Sequence, residues 1–404
     1  TAHKFIELGA LEPLVSELEP VAEFIYLEDV REELGLMDKV AGALGPMLPG
    51  LFHKKQSHTK PGVVLFTSGT EGEPKGVVLS HHNIVANIEQ VRSHIGLDPK
   101  TDSVFNPLPT FHCFGLTVGA LLPLVAGVRA VFHPSPLAPR EIANRIEETG
   151  STILLATDTF INQYARVGKP GQLDTIRLAV CGAERVRDET RAFVRKKFNI
   201  EILEGYGATE ASPVVAANSM ELNKPGTVGR LLSDMVCELV PVEGIDEGGK
   251  LRIRGPNIMM GYMRSSAPGI IEPTDDGWHD TGDICVLDED NCIRIMGRVK
   301  RFAKIGGEMV SLAVVENCAS AIWPDEMHAA AAVPDPRKGE QVLLLTTAQE
   351  ADRSALRAWA QSHGVSELSV PRKVFHVDEI PVLGTGKVDY GGVGKKVKNL
   401  IEPA

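Results

Sequence analysis

Between Gly62 and Leu203, short apolar runs rich in β-branched residues alternate with longer amphipathic segments. Gly62–Thr67 (GVVLFT), Thr152–Ala156, Ile176–Cys181 and Glu201–Leu203 read as strands. Ser80–Ile95 and Asp188–Phe198 read as helices, the first with Ser80 or Asn83 placed to cap it. Strands that alternate with helices imply largely parallel sheets covered on both faces, so the expected fold is α/β. From Val236 to Arg254 the pattern tightens to two short runs, CELVPV and KLRIRG, separated by Gly248-Gly249, which predicts a smaller β-rich subdomain. The basic segment Gly297–Arg301 (GRVKR) follows another strand-like run, Cys292–Met296. After it, helix and strand signals restart in a block the size of a small domain. We therefore read 1–296 as a large domain, 297–301 as a boundary and 302–404 as a small α+β domain.

Composition excludes several classes. Of 404 residues, 43% are hydrophobic and 24% charged, which is ordinary globular usage and not that of a disordered, collagen-like or coiled-coil chain. Lys and Arg number 42 against 53 Asp and Glu, so the net charge of −11 argues against a nucleic-acid partner. The six cysteines form no C-x-x-C pair, which argues against a zinc ribbon or disulfide scaffold and for a reducing, cytoplasmic setting. The chain opens on Thr1 with no signal-peptide pattern, and reads as a piece cut from something longer. The longest uncharged apolar run, Cys113–Val128, holds 16 residues. That is short of the roughly 20 a membrane span needs, so it reads as a buried helix or strand pair.

The densest chemical signal is Thr67-Ser68-Gly69-Thr70-Glu71-Gly72-Glu73-Pro74-Lys75-Gly76, directly after a predicted strand. Glycines let backbone N–H groups turn toward an anion, and the hydroxyls and Lys75 add donors, so by composition this is a phosphate cradle. A flexible surface loop is the competing reading. It is not a Walker A loop. No G-x-x-x-x-G-K-[ST] aligns to it, and upstream of Gly386-Lys387 the required first glycine is Pro381.

The string T-S-G-T-x-G-x-P-K-G resembles the signature loop of the acyl-adenylate-forming enzymes, which include acyl-CoA synthetases, luciferases and nonribosomal adenylation domains. Other motifs of that family follow in order. They are Tyr206-Gly207-Ala208-Thr209-Glu210, Gly249–Tyr262, Trp278-His279-Asp280-Thr281-Gly282-Asp283, Ile295–Lys300 and Pro381–Lys387, and with the loop they place the resemblance over residues 60–395. The resemblance implies a large domain and a small lid that rotates about Lys300, with ATP and Mg²⁺ as cofactors. It implies that Thr67, Ser68, Gly69, Thr70, Gly72 and Lys75 hold the β- and γ-phosphates, and that Thr209 touches the α-phosphate. Glu210 is then the Mg²⁺ ligand, a carboxylate for a hard cation. Tyr206, with Gly207, stacks on adenine; Gly182, Ala183 and Glu184 line the base and the acyl group; Asp283 and Arg298 serve the ribose. Lys387 is the catalytic lysine that bridges carboxylate and α-phosphate oxygens as charge develops. His112 matches a position beside the acyl pocket, with a hydrogen-bonded structural histidine as the alternative.

Within the family, LPTFHCFGLTVGALLPLVAG, VPRKVFHVDEIPVLGTGKVDY and GYMRSSAPG most resemble the synthetase half of the bacterial bifunctional acyl-acyl carrier protein synthetase/2-acylglycerophosphoethanolamine acyltransferases. That implies a fatty acid activated as acyl-AMP and passed to the phosphopantetheine thiol of acyl carrier protein, with coenzyme A as the alternative acceptor. An adenylate-binding fragment without catalysis is a rival of another class. Any peripheral membrane association would come from parts outside this chain. The acyltransferase H-x₄-D motif is absent, since none of the 12 histidines has Asp five residues on. In the family a longer stretch of the large domain precedes the Gly-rich loop. Here 66 residues do, so part of the N-terminal subdomain and acyl-pocket wall is expected to be missing. Within that stretch Ala22–Leu27 (AEFIYL) reads as a strand. Arg301 departs from the acid many relatives carry after the hinge lysine. The basic run Arg185–Lys197 reads as a solvated helix face or as a dock for an acidic carrier.

Overall fold

The structure, a computed structural model, describes residues 1–48, 57–68, 74–382 and 388–401, without the side chains of Leu8 and Ser68. It divides into two compact units, Thr1–Ser57 and His58–Ala404.

The first unit contains four short helices, His3–Gly9, Glu12–Leu18, Leu27–Glu33 and Leu36–Leu44. Helices of seven to nine residues are marginal on their own. Among the described residues of this unit only Val15 is buried. The predicted strand Ala22–Leu27 is not one: residues 22–26 are irregular and Leu27 begins a helix. A strand needs a ladder partner, and no described residue of this unit is in a strand. Thr1 instead satisfies this backbone, its amino group donating to the Ile25 carbonyl at 2.9 Å and its carbonyl accepting the Leu27 N–H at 2.9 Å.

The second unit begins with β1 (Pro61–Ser68) and β2 (Pro74–Ser80), antiparallel in the register Thr67↔Lys75 and Ser68↔Pro74. The Gly-rich segment therefore joins two antiparallel strands, whereas a P-loop joins strand to helix. The helix His81–Ile95 follows at once. Ser80 Oγ accepts the Asn83 N–H at 3.1 Å, and Asn83 Oδ1 accepts the Ser80 N–H at 2.9 Å. Of the two candidates, Ser80 is the N-cap, and Asn83 at the third helical position closes a reciprocal box.

The central sheet contains β3 (Ser103–Asn106), β4 (Arg129–Phe132), β5 (Ile153–Ala156), β6 (Leu178–Cys181), β7 (Glu201–Gly207), β8 (Val214–Ala217) and β9 (Arg230–Leu231), in the order β4-β3-β5-β6-β7-β8-β9. The strands β4, β3, β5, β6 and β7 run parallel, β8 runs antiparallel to β7, and β9 antiparallel to β8. Every residue of β3 and β5 is buried, as a parallel sheet covered on both faces requires. The apolar run Cys113–Val128 is helical, a wide-turned segment Phe114–Leu121 followed by Leu122–Ala126. Gly119 has to be glycine, because a Cβ there would lie 2.2 Å from Asn106 Nδ2, which donates to the Gly115 carbonyl at 3.1 Å.

The predicted β-rich region supplies two more sheets. β10 (Val236–Val240) and β11 (Gly249–Arg254) pair with β14 (His279–Leu287) and β15 (Ile293–Arg298), all antiparallel. β12 (Gly261–Arg264) and β13 (Ile271–Pro273) extend the β1-β2 hairpin. Beyond the turn Val299–Arg301 lies a five-stranded sheet of β16 (Phe302–Ile305), β17 (Glu308–Ser311), β18 (His328–Asp335), β19 (Gly339–Thr346) and β20 (Lys373–His376). Its alternation feeds two cores. Ala330, Val342 and Leu344 pack with the helices Leu312–Ile322 and Arg353–Ser362, while Ala329, Ala331, Leu343 and Leu345 pack with the helix Tyr390–Ile401. A third, larger core runs from Leu65 to Ile293. Among the described residues no helix is long and apolar enough to cross a membrane.

Candidate functional site

In an open parallel sheet the loops that leave the C-terminal strand ends share a crevice, and ligands bind there. Three motif segments leave such ends. The segment holding His112 and Cys113 follows β3; Gly182, Ala183 and Glu184 follow β6; Tyr206 and Gly207 end β7, with Thr209–Ala211 forming one 3₁₀ turn after it. They touch. Cys113 Sγ lies 3.4 Å from Thr209 Oγ1, and a Cβ on Gly182 would lie 3.5 Å from the Phe114 ring. His112 Nδ1 accepts the Phe114 N–H at 3.4 Å.

The loop after β6 is fastened by carboxylates. Ala183 sits in the left-handed region at φ 69°. Glu184 accepts from the Thr159 N–H at 3.0 Å and hydroxyl at 2.9 Å, at the start of the helix Asp158–Val167. Glu204 Oε1 accepts the Val186 N–H at 3.0 Å, and Asp158 accepts the Arg187 N–H at 3.0 Å. Burial raises the Glu204 carboxyl above its ordinary range, against the opposing pull of the Val186 N–H and Arg191. Part of the basic run Arg185–Lys197 is paired. Arg191 reaches Glu204 at 3.2 Å and the Ile202 carbonyl at 2.6 Å. Arg187 pairs with Asp158 at 2.6 Å, Arg195 lies 3.6 Å from Glu201, and Lys197 donates to the Ala165 carbonyl at 2.8 Å. Arg191 turns inward because the helix packs beside acidic strand ends, while Arg185, Arg195 and Lys196 stay exposed.

The ribose candidates converge on one carboxylate. The Tyr206 hydroxyl donates to Asp283 Oδ2, and Arg298 Nε donates to Asp283 Oδ1 at 3.1 Å. The β14–β15 register pairs Asp283 directly with Arg298. Burial pushes the Asp283 carboxyl up, and Arg298 pulls it back. Burial beside Asp283 also raises the Tyr206 hydroxyl.

Next to them, Glu210 Oε1 accepts from the Tyr262 hydroxyl at 2.7 Å, and Lys75 Nζ lies 5.7 Å from the Tyr262 ring centroid. Tyr262 thus links the arm of the Gly-rich hairpin to the Y-G-x-T-E turn. His279 is buried with Glu210, Asp280, Asp283 and Arg298 as its charged surroundings, and burial lowers its pKa. Among the described residues no three His, Cys, Asp or Glu side chains gather into a metal cage. A single accessible carboxylate such as Glu210 suits Mg²⁺, which takes one or two protein carboxylates and completes its shell with phosphates and water.

Thr67 lies at the end of β1 and Lys300 in the turn Val299–Arg301. Gly69, Thr70, Gly72 and Lys387 lie outside the described residues. Tyr262 and His279 stood inside motifs already singled out in the sequence, yet neither was read as a site residue. Asp158 and Glu204 carry no local signal, since their partners come from other strand ends.

A family model described as AMP-binding enzyme matches residues 11–263, more than half of the chain, and the chain belongs to that family. It is 31% identical over 361 residues to the long-chain-fatty-acid–CoA ligase of Salmonella typhimurium, covering 83% of this chain and 62% of that protein. It is 29% identical to the mitochondrial medium-chain acyl-CoA ligase ACSF2 of Rattus norvegicus, covering 80% of this chain and 55% of that one. Among solved structures, ATP-bound MatB from Rhodopseudomonas palustris superposes with a TM-score of 0.75 at 25% identity, over 86% of this chain and 70% of MatB. The O-succinylbenzoate coenzyme A synthetase of Bacillus subtilis, in complex with ATP and magnesium ion, shares the fold at a TM-score of 0.73 and 22% identity, over 83% and 71% of the two chains. The chain therefore spans less than two thirds of the length of these two ligase relatives.

Proposed function

We propose that the protein activates a medium- or long-chain fatty acid with ATP. The carboxylate attacks the α-phosphorus, acyl-AMP forms and pyrophosphate leaves; a phosphopantetheine thiol then takes the acyl group and AMP leaves. The observation that carries this reading is the continuous set Tyr206–Asp283–Arg298 and Thr209–Glu210–Tyr262–Lys75, assembled at the strand ends. Membership in the AMP-binding family and the fatty-acid ligase names of the relatives support it.

Tyr206 offers a flat face to the base, Asp283 accepts from ribose hydroxyls, and Arg298 holds Asp283 in place. Thr209 donates to the α-phosphate. Glu210 holds Mg²⁺, which when bound neutralises phosphate charge. Thr67, Ser68, Gly69, Thr70, Gly72 and Lys75 cradle the β- and γ-phosphates. Gly182, Ala183 and Glu184 border the base, with His112 on the acyl side. Lys387 stabilises charge between carboxylate and phosphate, carried by a lid that pivots at 297–301. The separate cores on either side of that turn support a pivot there.

Acyl carrier protein is the acceptor by likeness to the bifunctional synthetases. Coenzyme A is the second reading, and the ligase names of the relatives favour it. The inward pairing of Arg191 takes that charge away from any carrier dock.

Pyrophosphate release on mixing protein, ATP, Mg²⁺ and palmitate tests the adenylation step; no release rejects it in favour of an adenylate-binding fragment. Lys387→Ala should slow acyl-AMP formation on the order of 10²-fold and spare thioester formation from supplied acyl-AMP. Offering carrier protein and coenzyme A in parallel decides the acceptor.

A further inference from the structure

Arg301 is not among the residues assigned above to the nucleotide site. It closes the turn Val299–Arg301 with its side chain only 16% exposed. Its guanidinium donates to the Ala330 carbonyl at 2.9 Å and to Glu316 Oε1 at 2.5 Å, and lies 3.6 Å from the centroid of the Tyr390 ring. Glu316 Oε1 also accepts the Ala330 N–H at 2.7 Å, and Oε2 accepts from the Tyr390 hydroxyl at 3.3 Å. Four pieces of chain meet here: the turn, the helix Leu312–Ile322, β18, and the first residue of the helix Tyr390–Ile401.

Tyr390 comes two residues after Val388, which bridges to Val382, and the Asp389 N–H donates to the Pro381 carbonyl at 2.8 Å. Lys387 lies in the sequence between those bridged ends. A guanidinium that bonds a carboxylate and a backbone carbonyl at once and also lies over a ring has few alternative geometries, so the joint is stiff. Burial raises the Glu316 carboxyl, with Arg301 opposing.

We propose that Arg301, Glu316 and Tyr390 are positioning residues that lock the 299–301 turn to the root of the Lys387 segment, so that the two move as one body. This rests on the adenylation reading above, in which Lys387 acts and the turn pivots. None of the three touches substrate; each acts through the placement of Lys387. Loosening the joint spares ATP binding, which the strand ends provide, and spares the thiol step, which does not use Lys387.

The test measures ATP–pyrophosphate exchange, thioester formation from supplied acyl-AMP, and melting temperature. Tyr390→Leu should lower kcat for exchange by about tenfold or more, since a misplacement of about 1 Å can cost on the order of 10²-fold. The KM for ATP and the thiol step should stay within about twofold, well inside that loss. Tyr390→Phe keeps the stack and should retain wild-type exchange. Arg301→Lys keeps the charge but not the planar stack; it should behave like Tyr390→Leu, and it replaces that variant if the leucine does not fold. Wild-type exchange in Tyr390→Leu and Arg301→Lys overturns the coupling, and so does an equal fall in both half-reactions. The adenylation reading fails separately, if Lys387→Ala itself exchanges at the wild-type rate or the wild type does not exchange at all; the coupling then falls with it.

Discussion

The central sheet and the C-terminal five-stranded sheet are both covered by helices on two faces, yet they use buried charge differently. At the ends of β5, β6 and β7, carboxylates from Asp158, Glu184 and Glu204 each take a backbone N–H of a neighbouring segment, and Arg187 and Arg191 answer two of them. The C-terminal sheet concentrates one such cluster, Arg301–Glu316–Tyr390, at its junction with the rest of the chain. In the first region the charges shape a crevice; in the second they stiffen a joint. Parallel strands explain the difference. They deliver many loop starts to one edge, where unpaired N–H groups need acceptors, while the mainly antiparallel sheet closes its turns locally.

The comparison can be broken most directly at Glu204. Arg191→Ala leaves that carboxylate buried and uncompensated, so we expect a loss of about 3–5 kcal/mol in urea unfolding. Replacing both partners with apolar residues should cost far less. A single-variant loss below about 1 kcal/mol, the value of a surface pair, would show that the loop is held some other way.

Packing gives a smaller effect. Gly119→Ala forces a Cβ against Asn106 and should cost about 1–3 kcal/mol, read from the same unfolding curves. Hydrogen exchange should show the loss around β3 and not in β18 or β19.

His279, on β14, adds a pH dependence. Its folded pKa lies below the ordinary 6.5 because burial disfavours the cation. Its contribution is therefore fully present above pH 6.5 and is lost as pH falls through the lower folded value. His279→Gln should flatten the fall of melting temperature below that pH. An unchanged slope would mean that the imidazole protonates as freely folded as unfolded.

The smallest effect belongs to an ion pair that crosses between the regions, Arg166 with Asp325 at 3.3 Å, both largely exposed. Arg166→Ala should cost no more than about 0.5 kcal/mol and matter least at high salt.

Much of this was legible in local sequence. The helix Asp188–Phe198 lies where its pattern put it, and Ser80, one of the two candidates, is the N-cap of its helix. AEFIYL misled because β propensity measures fit to a neighbouring strand, and no strand is described in that unit. Within the basic run 185–197, local sequence could not show that Arg187 and Arg191 reach Asp158 and Glu204. Arg301 looked merely odd until Glu316 and Tyr390, 15 and 89 positions away, met it.

The sequence by itself determined the α/β alternation, the β-rich insertion and the phosphate-loop composition, because periodicity, turn chemistry and short motifs are written in neighbouring residues. Asp283 and Arg298 were each given a ribose role by family resemblance alone, and the β14–β15 register is what pairs them. Only the tertiary structure decided that Tyr206 donates to Asp283, that Tyr262 bridges Lys75 to Glu210, and that Arg191 faces inward. Those contacts depend on which strand ends lie side by side, and strand order is a property of the folded sheet that no local pattern encodes.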